Sequence, residues 1–383
     1  MNARLLLILT LVVCVLGLAA HFFSQERQSL QTAIFEPGPL VAGIEDRIND
    51  VDVARVESQE GGILTLTRKN GEWAIAEHYG YRANPERVNE LLKKVATLKK
   101  IEPKTKKPEN HKRLNLDDPA GEMSLATRIT LKAGDAQVTD IIVGLNRAPA
   151  HGGGAFVRLW GQEQTWLAEG EFKPKRRLID LMDRNVVNVD GRRMRSARIQ
   201  HPAARKAAES PQGETVLIYK DTPDQAAYSL GADIPEGGKP KPDHELSSVI
   251  RLPDFLIFED VKPASEIETD APQIVGVYET FDGLRLTFRA HKEADGDFWT
   301  TVEVDTAEVS PGLAAFVEAN KDQDAESGRI ADQMKSTDDL TTEIAKWTQQ
   351  TANWAFKLTG YKSKRLTVDT AEMLQKPEPP KAK

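Results

Sequence analysis

The stretch LTLTRKNGEWAI, residues 64–75, sets apolar Leu64, Leu66, Trp73 and Ile75 at alternate positions on either side of Asn70-Gly71. A period of two marks a strand with one buried face. Asn-Gly between two such runs marks a two-residue hairpin turn, because both central residues of that turn need positive φ. The chain is therefore expected to build antiparallel sheet. Upstream, Val53, Val56 and Ile63 lie in further short β-like runs. Downstream, Asn84-Pro85 joins an N-cap residue to a proline at the first helical position. Val88, Leu91, Leu92, Val95 and Leu98 follow at helical spacing as one apolar stripe, and Pro103 and Pro108 are expected to close that element.

A second group of strands comes next. Ile129–Leu131 and Val138–Val143 flank a turn at Gly134-Asp135. The Gly-rich loop His151–Gly154 leads into Ala155–Trp160, which turns at Gly161 into Thr165–Leu167. An amphipathic helix around Lys175–Asp183, with Leu178, Leu181 and Met182 inward, closes the unit.

The order then recurs, which is the signature of an internal repeat. Strands at Met194–Ile199, Thr215–Tyr219 and Ala227–Leu230 precede a helix at Asp243–Ile250, with Leu246, Val249 and Ile250 inward. Ile274–Tyr278, Leu284–Phe288 and Phe298–Val304 are the matching later strands. Trp354–Gly360 mirrors Ala155–Gly161, set apart from its group by helices around Pro311–Val317 and Asp338–Ala352. The fold class is thus α+β: two tandem copies of an antiparallel β-sheet plus helix unit, residues 51–189 and 190–376, preceded by one N-terminal transmembrane helix. The expected core is Leu66, Trp73, Val88, Leu91, Val95, Ile129, Phe156 and Leu167 in the first copy. In the second it is Leu217, Leu246, Ile250, Phe288, Phe298 and Phe356. Residues 24–50, with Pro37 and Pro39, read as a linker, and residues 377–383 as a disordered tail.

Residues 5–23, LLLILTLVVCVLGLAAHFF, run for 19 positions without Asp, Glu, Lys or Arg. As a helix they span about 28 Å, close to the hydrocarbon core of a bilayer. Arg4 ahead of them favours a cytoplasmic N-terminus at residues 1–4. The expected placement is the inner membrane, single-pass, with the bulk periplasmic and membrane lipid around residues 5–23. A cleaved signal peptide, using Gly17-Leu18-Ala19 as its small-x-small site, is the alternative. Cys14 is the only cysteine, which excludes a disulfide framework and a Cys-based zinc site. A hydrophobic fraction of 40% excludes a disordered chain, and a net charge of −7 argues against a polyanion binder, so no nucleic acid is expected as partner.

These elements resemble the bacterial envelope family called domain of unknown function 4340 (DUF4340). The likeness rests on the N-terminal apolar segment, on Leu64–Trp73 and on the helix start Ala83–Val88. It also rests on Leu114-Asn115-Leu116-Asp117-Asp118-Pro119, where Asn115 stands in place of the family's usual glycine, on Gly153–Arg158 and on Trp354–Leu358. The resemblance implies a single-pass accessory facing the periplasm. It implies association with an ABC transporter of the gliding-motility type, through its permease and substrate-binding-like subunits. It supplies no catalytic residue to carry over.

The residues themselves offer several motifs, each with a plainer structural reading. His151-Gly152-Gly153-Gly154 has the look of a lipase oxyanion loop, but no G-x-S-x-G elbow accompanies it, so a hairpin loop is expected. The seven histidines include no i, i+4 pair and no H-E-x-x-H. Asp322, Asp324 and Glu326 imitate the start of a calcium loop, yet Ser327 and Gln333 stand where glycine and glutamate are needed. Asp117-Asp118 before Pro119 reads as an Asx-turn rather than a carboxylate pair for catalysis. Lys99–Arg113 and Lys173–Arg195 are rich in basic residues and Glu318–Glu343 in acidic ones, which suggests either solvated faces or surfaces for charged partners. No catalytic, cofactor-binding or metal-binding residue is assigned, and no cofactor is expected. The expected function is a non-catalytic envelope accessory or scaffold. A module binding envelope lipid or polysaccharide is the alternative, and an envelope hydrolase a remote one.

Overall fold

In a computed structural model the described residues are 35, 37–202, 214–231, 234, 238–267, 272–293 and 296–375. The expected transmembrane helix at residues 5–23 and the tail at 377–383 lie outside them. Among the described residues no helix is long and apolar enough to cross a membrane. The chain forms two compact units: one of the residues up to Glu77 with Pro85–Leu181, the other of His78–Asn84 with the residues from Met182 on. Both are antiparallel sheets with helices, so the chain is α+β.

In chain order the first unit contains β1 (Gly38–Pro39), α1 (Ile44–Arg47), β2 (Val53–Ser58), β3 (Gly62–Lys69) and β4 (Glu72–Ile75). The short strand β5 (Tyr81–Arg82) belongs to the second unit. The first unit resumes with α2 (Pro85–Ala96), β6 (Lys99–Pro103), β7 (Thr127–Ala133), β8 (Ala136–Asn146), β9 (Ala155–Leu159), β10 (Thr165–Ala168) and α3 (Leu178–Leu181). Within this unit the sheet runs β1-β6-β10-β9-β8-β7-β2-β3-β4. The Asn70-Gly71 turn forms as expected: φ is 52° and 86° at its two residues, and Leu66 pairs with Ile75 across it. Helix α2 buries Val88, Leu91, Leu92 and Val95, the stripe read from the sequence.

The second unit holds β11 (Asn185–Val187), β12 (Met194–His201), β13 (Glu214–Tyr219), β14 (Ser229–Gly231), α4 (Asp243–Ile250), β15 (Leu256–Pro263), β16 (Ile274–Thr280), β17 (Leu284–Lys292) and β18 (Phe298–Thr306). Three helices follow, α5 (Leu313–Asn320), α6 (Glu326–Ala331) and α7 (Thr337–Thr351), then β19 (Trp354–Leu358) and α8 (Gly360–Leu366). Its sheet runs β11-β15-β19-β18-β17-β16-β12-β13-β14. The segment 78–84 is built into this unit. The buried Tyr81 ring meets Phe258 and Trp354 edge-on, at centroid distances of 5.5 and 4.9 Å, and its hydroxyl donates to Asp183 O. Arg82 donates to Asp183 Oδ2, Asn185 O and Gln350 O.

Several expectations need correction. Ordered structure begins before Val51: Leu40 and Ile44 are buried, and Leu40 N donates to Leu98 O. Helix α2 ends at Ala96, ahead of Pro103, and the residues between form β6. The helix expected around Lys175–Asp183 is the single turn α3, with Leu178 only half-buried. Strand β15, which the sequence reading omits, is the neighbour of β19. By position in the sheet β19 therefore answers to β10, and β9 answers to β18, so the mirror of Trp354–Gly360 with Ala155–Gly161 is displaced by one strand. Phe156, Leu217 and Phe298 are half-buried while their neighbours Val157, Val216, Ile218 and Trp299 point inward. A strand has two faces, and these three residues lie on the less buried one. The other expected core residues are buried.

Candidate functional site

A concavity of about 580 Å³ lies in the second unit between α4 and α8 and is bordered by residues 368–374. That size suits a small ligand or a short chain segment. Helix α4 forms because Leu246, Val249 and Ile250 recur at helical spacing and are buried. Ser247 Oγ donates to Asp243 O and Asp243 Oδ2 in its first turns. Helix α8 is fastened to the chain after α4 by the buried Lys362, whose ammonium donates to Leu252 O at 3.0 Å and to Asp254 O. Burial lowers the pKa of Lys362, so the two carbonyls supply the solvation its charge has lost.

The third wall is a strap. Pro240 bridges Leu374, Lys241 N donates to Met373 O at 2.9 Å, and Gln375 N donates to Lys239 O at 2.8 Å. The buried His201 of β12 places Nε2 2.8 Å from Val368 O. The groove thus has an apolar floor of Val249, Val368, Met373 and Leu374 with charged rims. One rim pair is closed, Lys241 to Glu245 at 2.7 Å.

Its polar focus is Arg365. Nη1 donates to Arg251 O, Nη2 meets the Tyr361 hydroxyl, and the guanidinium lies 4.0 Å from the Tyr361 ring centre. Among the described residues Nε is buried with no hydrogen-bond partner, and so is the hydroxyl of Tyr278 on β16. Burial lowers the Arg365 pKa and raises that of Tyr278. Tyr361 itself stands 64% exposed at the mouth. An apolar trough beside an incompletely bonded guanidinium can hold an apolar segment that carries an acceptor.

The motifs flagged in the sequence are placed elsewhere. Gly152, Gly153 and Gly154 all have positive φ in a hairpin loop, and a Cβ on Gly154 would stand 2.6 Å from Ala168 O. Asp118 Oδ1 accepts from Ala120 N, the Asx-turn expected there. Asp243 and Glu245 bond to Tyr228 N and Lys241. Among the described residues no three His, Cys, Asp or Glu side chains are grouped to hold a metal. The basic run Lys173–Arg195 dissolves into local bonds, including Arg176 with Glu60, Arg177 with Asp180, Arg184 with Phe258 O and Arg193 with Asp282. Tyr361 and Arg365 escaped the sequence reading, because their counterparts on α4 lie more than a hundred residues away and no short motif joins them.

Residues 73–266, just over half of the chain, match the family model described as Domain of unknown function (DUF4340). The match takes in Asn84-Pro85, Leu114–Pro119, Gly153–Arg158 and helix α4, and it ends before α8. No curated protein matches the chain.

Proposed function

Because the chain belongs to the DUF4340 family, we propose that it is a non-catalytic envelope accessory. It is held at the inner membrane by residues 5–23, with its bulk in the periplasm, and serves a gliding-motility-type ABC transport system. The observation that carries this reading is the open apolar groove between α4 and α8, a feature that fits docking of a partner segment. The membrane segment would raise the local concentration of this groove around a permease, so a modest interface would suffice. The two sheets add support for a duplicated scaffold. The order β6-β10-β9-β8-β7-β2-β3-β4 recurs as β15-β19-β18-β17-β16-β12-β13-β14, and we read it as two tandem copies.

A second reading, an envelope lipid or polysaccharide module, draws on the Arg365 guanidinium beside the apolar floor. One experiment separates the two. A photo-crosslinking residue replaces Tyr361 in the full chain and is activated in cells, with the same residue at Trp160 of the first unit as control. Capture of a permease or substrate-binding-like subunit is the expected result. Capture of lipid or glycan without protein would favour the second reading, and no adduct above the Trp160 control would defeat both.

A further inference from the structure

A second, polar concavity of about 250 Å³ lies in the second unit, walled by the 191–194 turn, the end of β13, the 223–228 segment, α4 and α6. Arg192, Lys220 and Arg251 line it, and Arg192 is already paired with Asp190. Lys220, at the end of β13, is half-buried, with Nζ 4.4 Å from the centre of the Tyr228 ring. Arg251, at the end of α4, lays its side chain against Gly191, where a Cβ would stand 2.5 Å from Arg251 Nε. Among the described residues neither cationic head has a hydrogen-bond acceptor or an ion-pair partner in the protein.

The acids nearby are already engaged. Asp190 receives Arg192 Nε and Nη2 at 2.9 and 2.6 Å. Asp243 receives Tyr228 N on one oxygen and Ser247 Oγ on the other. Glu326 is paired with Arg329 at 3.0 Å, and of the acids that line the recess the exposed Asp224 has no bond to its carboxylate among the described residues. Burial is the larger cause that lowers the Lys220 pKa. Asp243 and Glu326 oppose the shift, and the charge of Arg251 adds to it. Two like charges in a recess, with Asp190, Asp243 and Glu326 bonded elsewhere, form a site complementary to an anion.

We propose that this recess is an oxyanion-binding site in which Lys220 and Arg251 together grip the phosphate or carboxylate group of a small ligand. Tyr228 supplies an apolar wall: its hydroxyl is tied to Met194 O at 3.1 Å, so its ring is fixed in place. Phosphate and carboxylate share the acceptor geometry that such a pair recognises.

The test uses the full chain in detergent micelles at constant ionic strength. Inorganic phosphate and acetate are titrated separately while mass spectrometry follows acylation of Lys220, with exposed Lys69 as internal reference. One of the two anions is expected to slow Lys220 labelling about tenfold at roughly ten times its dissociation constant, and Lys69 is expected not to respond. Which anion protects identifies the ligand group. In Arg251→Gln the protection is expected to be lost. Absence of protection by both anions, equal protection of Lys69, or undiminished protection in a folded R251Q protein would each overturn the proposal. The wild-type measurement decides alone if R251Q fails to fold.

Discussion

At the scale of single residues, Asn115 shows how one backbone angle shapes a motif. It sits at φ 54° and ψ 43°, the left-handed region, at the end of a 3₁₀ turn. Asparagine tolerates that region better than other residues with a side chain, which accounts for its standing where the resembling family uses glycine. The loop it starts is held by Arg158, only 9% exposed, which donates Nε and Nη2 to Leu116 O and Nη1 to Gln162 O. Two stretches that looked independent, Leu114–Pro119 and Gly153–Arg158, are therefore one device. Replacing Asn115 by glycine should leave stability near wild type, whereas Asn115→Ala should cost about 1–2 kcal/mol, read as a shift in the urea midpoint. The half-buried Phe156, Leu217 and Phe298 set the limit of sequence reading at this scale. Alternation identifies a strand, but which face turns inward depends on what covers it.

Among the elements, hairpins and helices with local signals were legible, and charged strands near one end of each sheet were not. The turn at Asn70-Gly71 and helix α2 announce themselves through φ requirements and a single apolar stripe. Strands β6 and β15 carry many charged residues, and their identity comes from partners distant in sequence, β10 and β19. The joints between elements were equally hidden. Arg193, in the turn before β12, is 2% exposed and donates Nε to Asp282 Oδ2 at 2.8 Å. It also bonds Glu343 of α7 at 2.8 Å, while Asp282 accepts from Lys335 N. One guanidinium thus ties the start of β12 to the β16–β17 turn and to the long helix. Arg193→Met should destabilise the second unit by about 3–5 kcal/mol, because it strands the buried Asp282 carboxylate. The double variant R193M/D282N should recover part of that loss, as a denaturation series would show.

Across the whole molecule, conspicuous charge serves mainly internal bonds. The carboxyls of Asp180 and Asp190 are held below the usual range by hydrogen bonds from Arg177 and Arg192, and that of Glu102 by one from Lys104. Groups depressed in the folded state add stability above their unfolded pKa, about 3.9 for Asp and 4.3 for Glu. That stability disappears as pH falls through their folded values. The urea midpoint should therefore be flat from pH 7 to about 5 and then decline below about 4, with a smaller decline in Asp190→Asn. The overall plan was legible because element order repeats along the chain. The candidate groove was not, because α4, α8 and the strap meet only once the sheet has formed.

Tyr81 and Arg82 are translated well before some of their partners: Arg82 bonds Gln350 across 268 positions of sequence. On the ribosome, the contact of Tyr81 with Trp354 and the bond of Arg82 to Gln350 therefore cannot form until those residues have been made. No single cut between the two units yields a second unit that retains its own Tyr81.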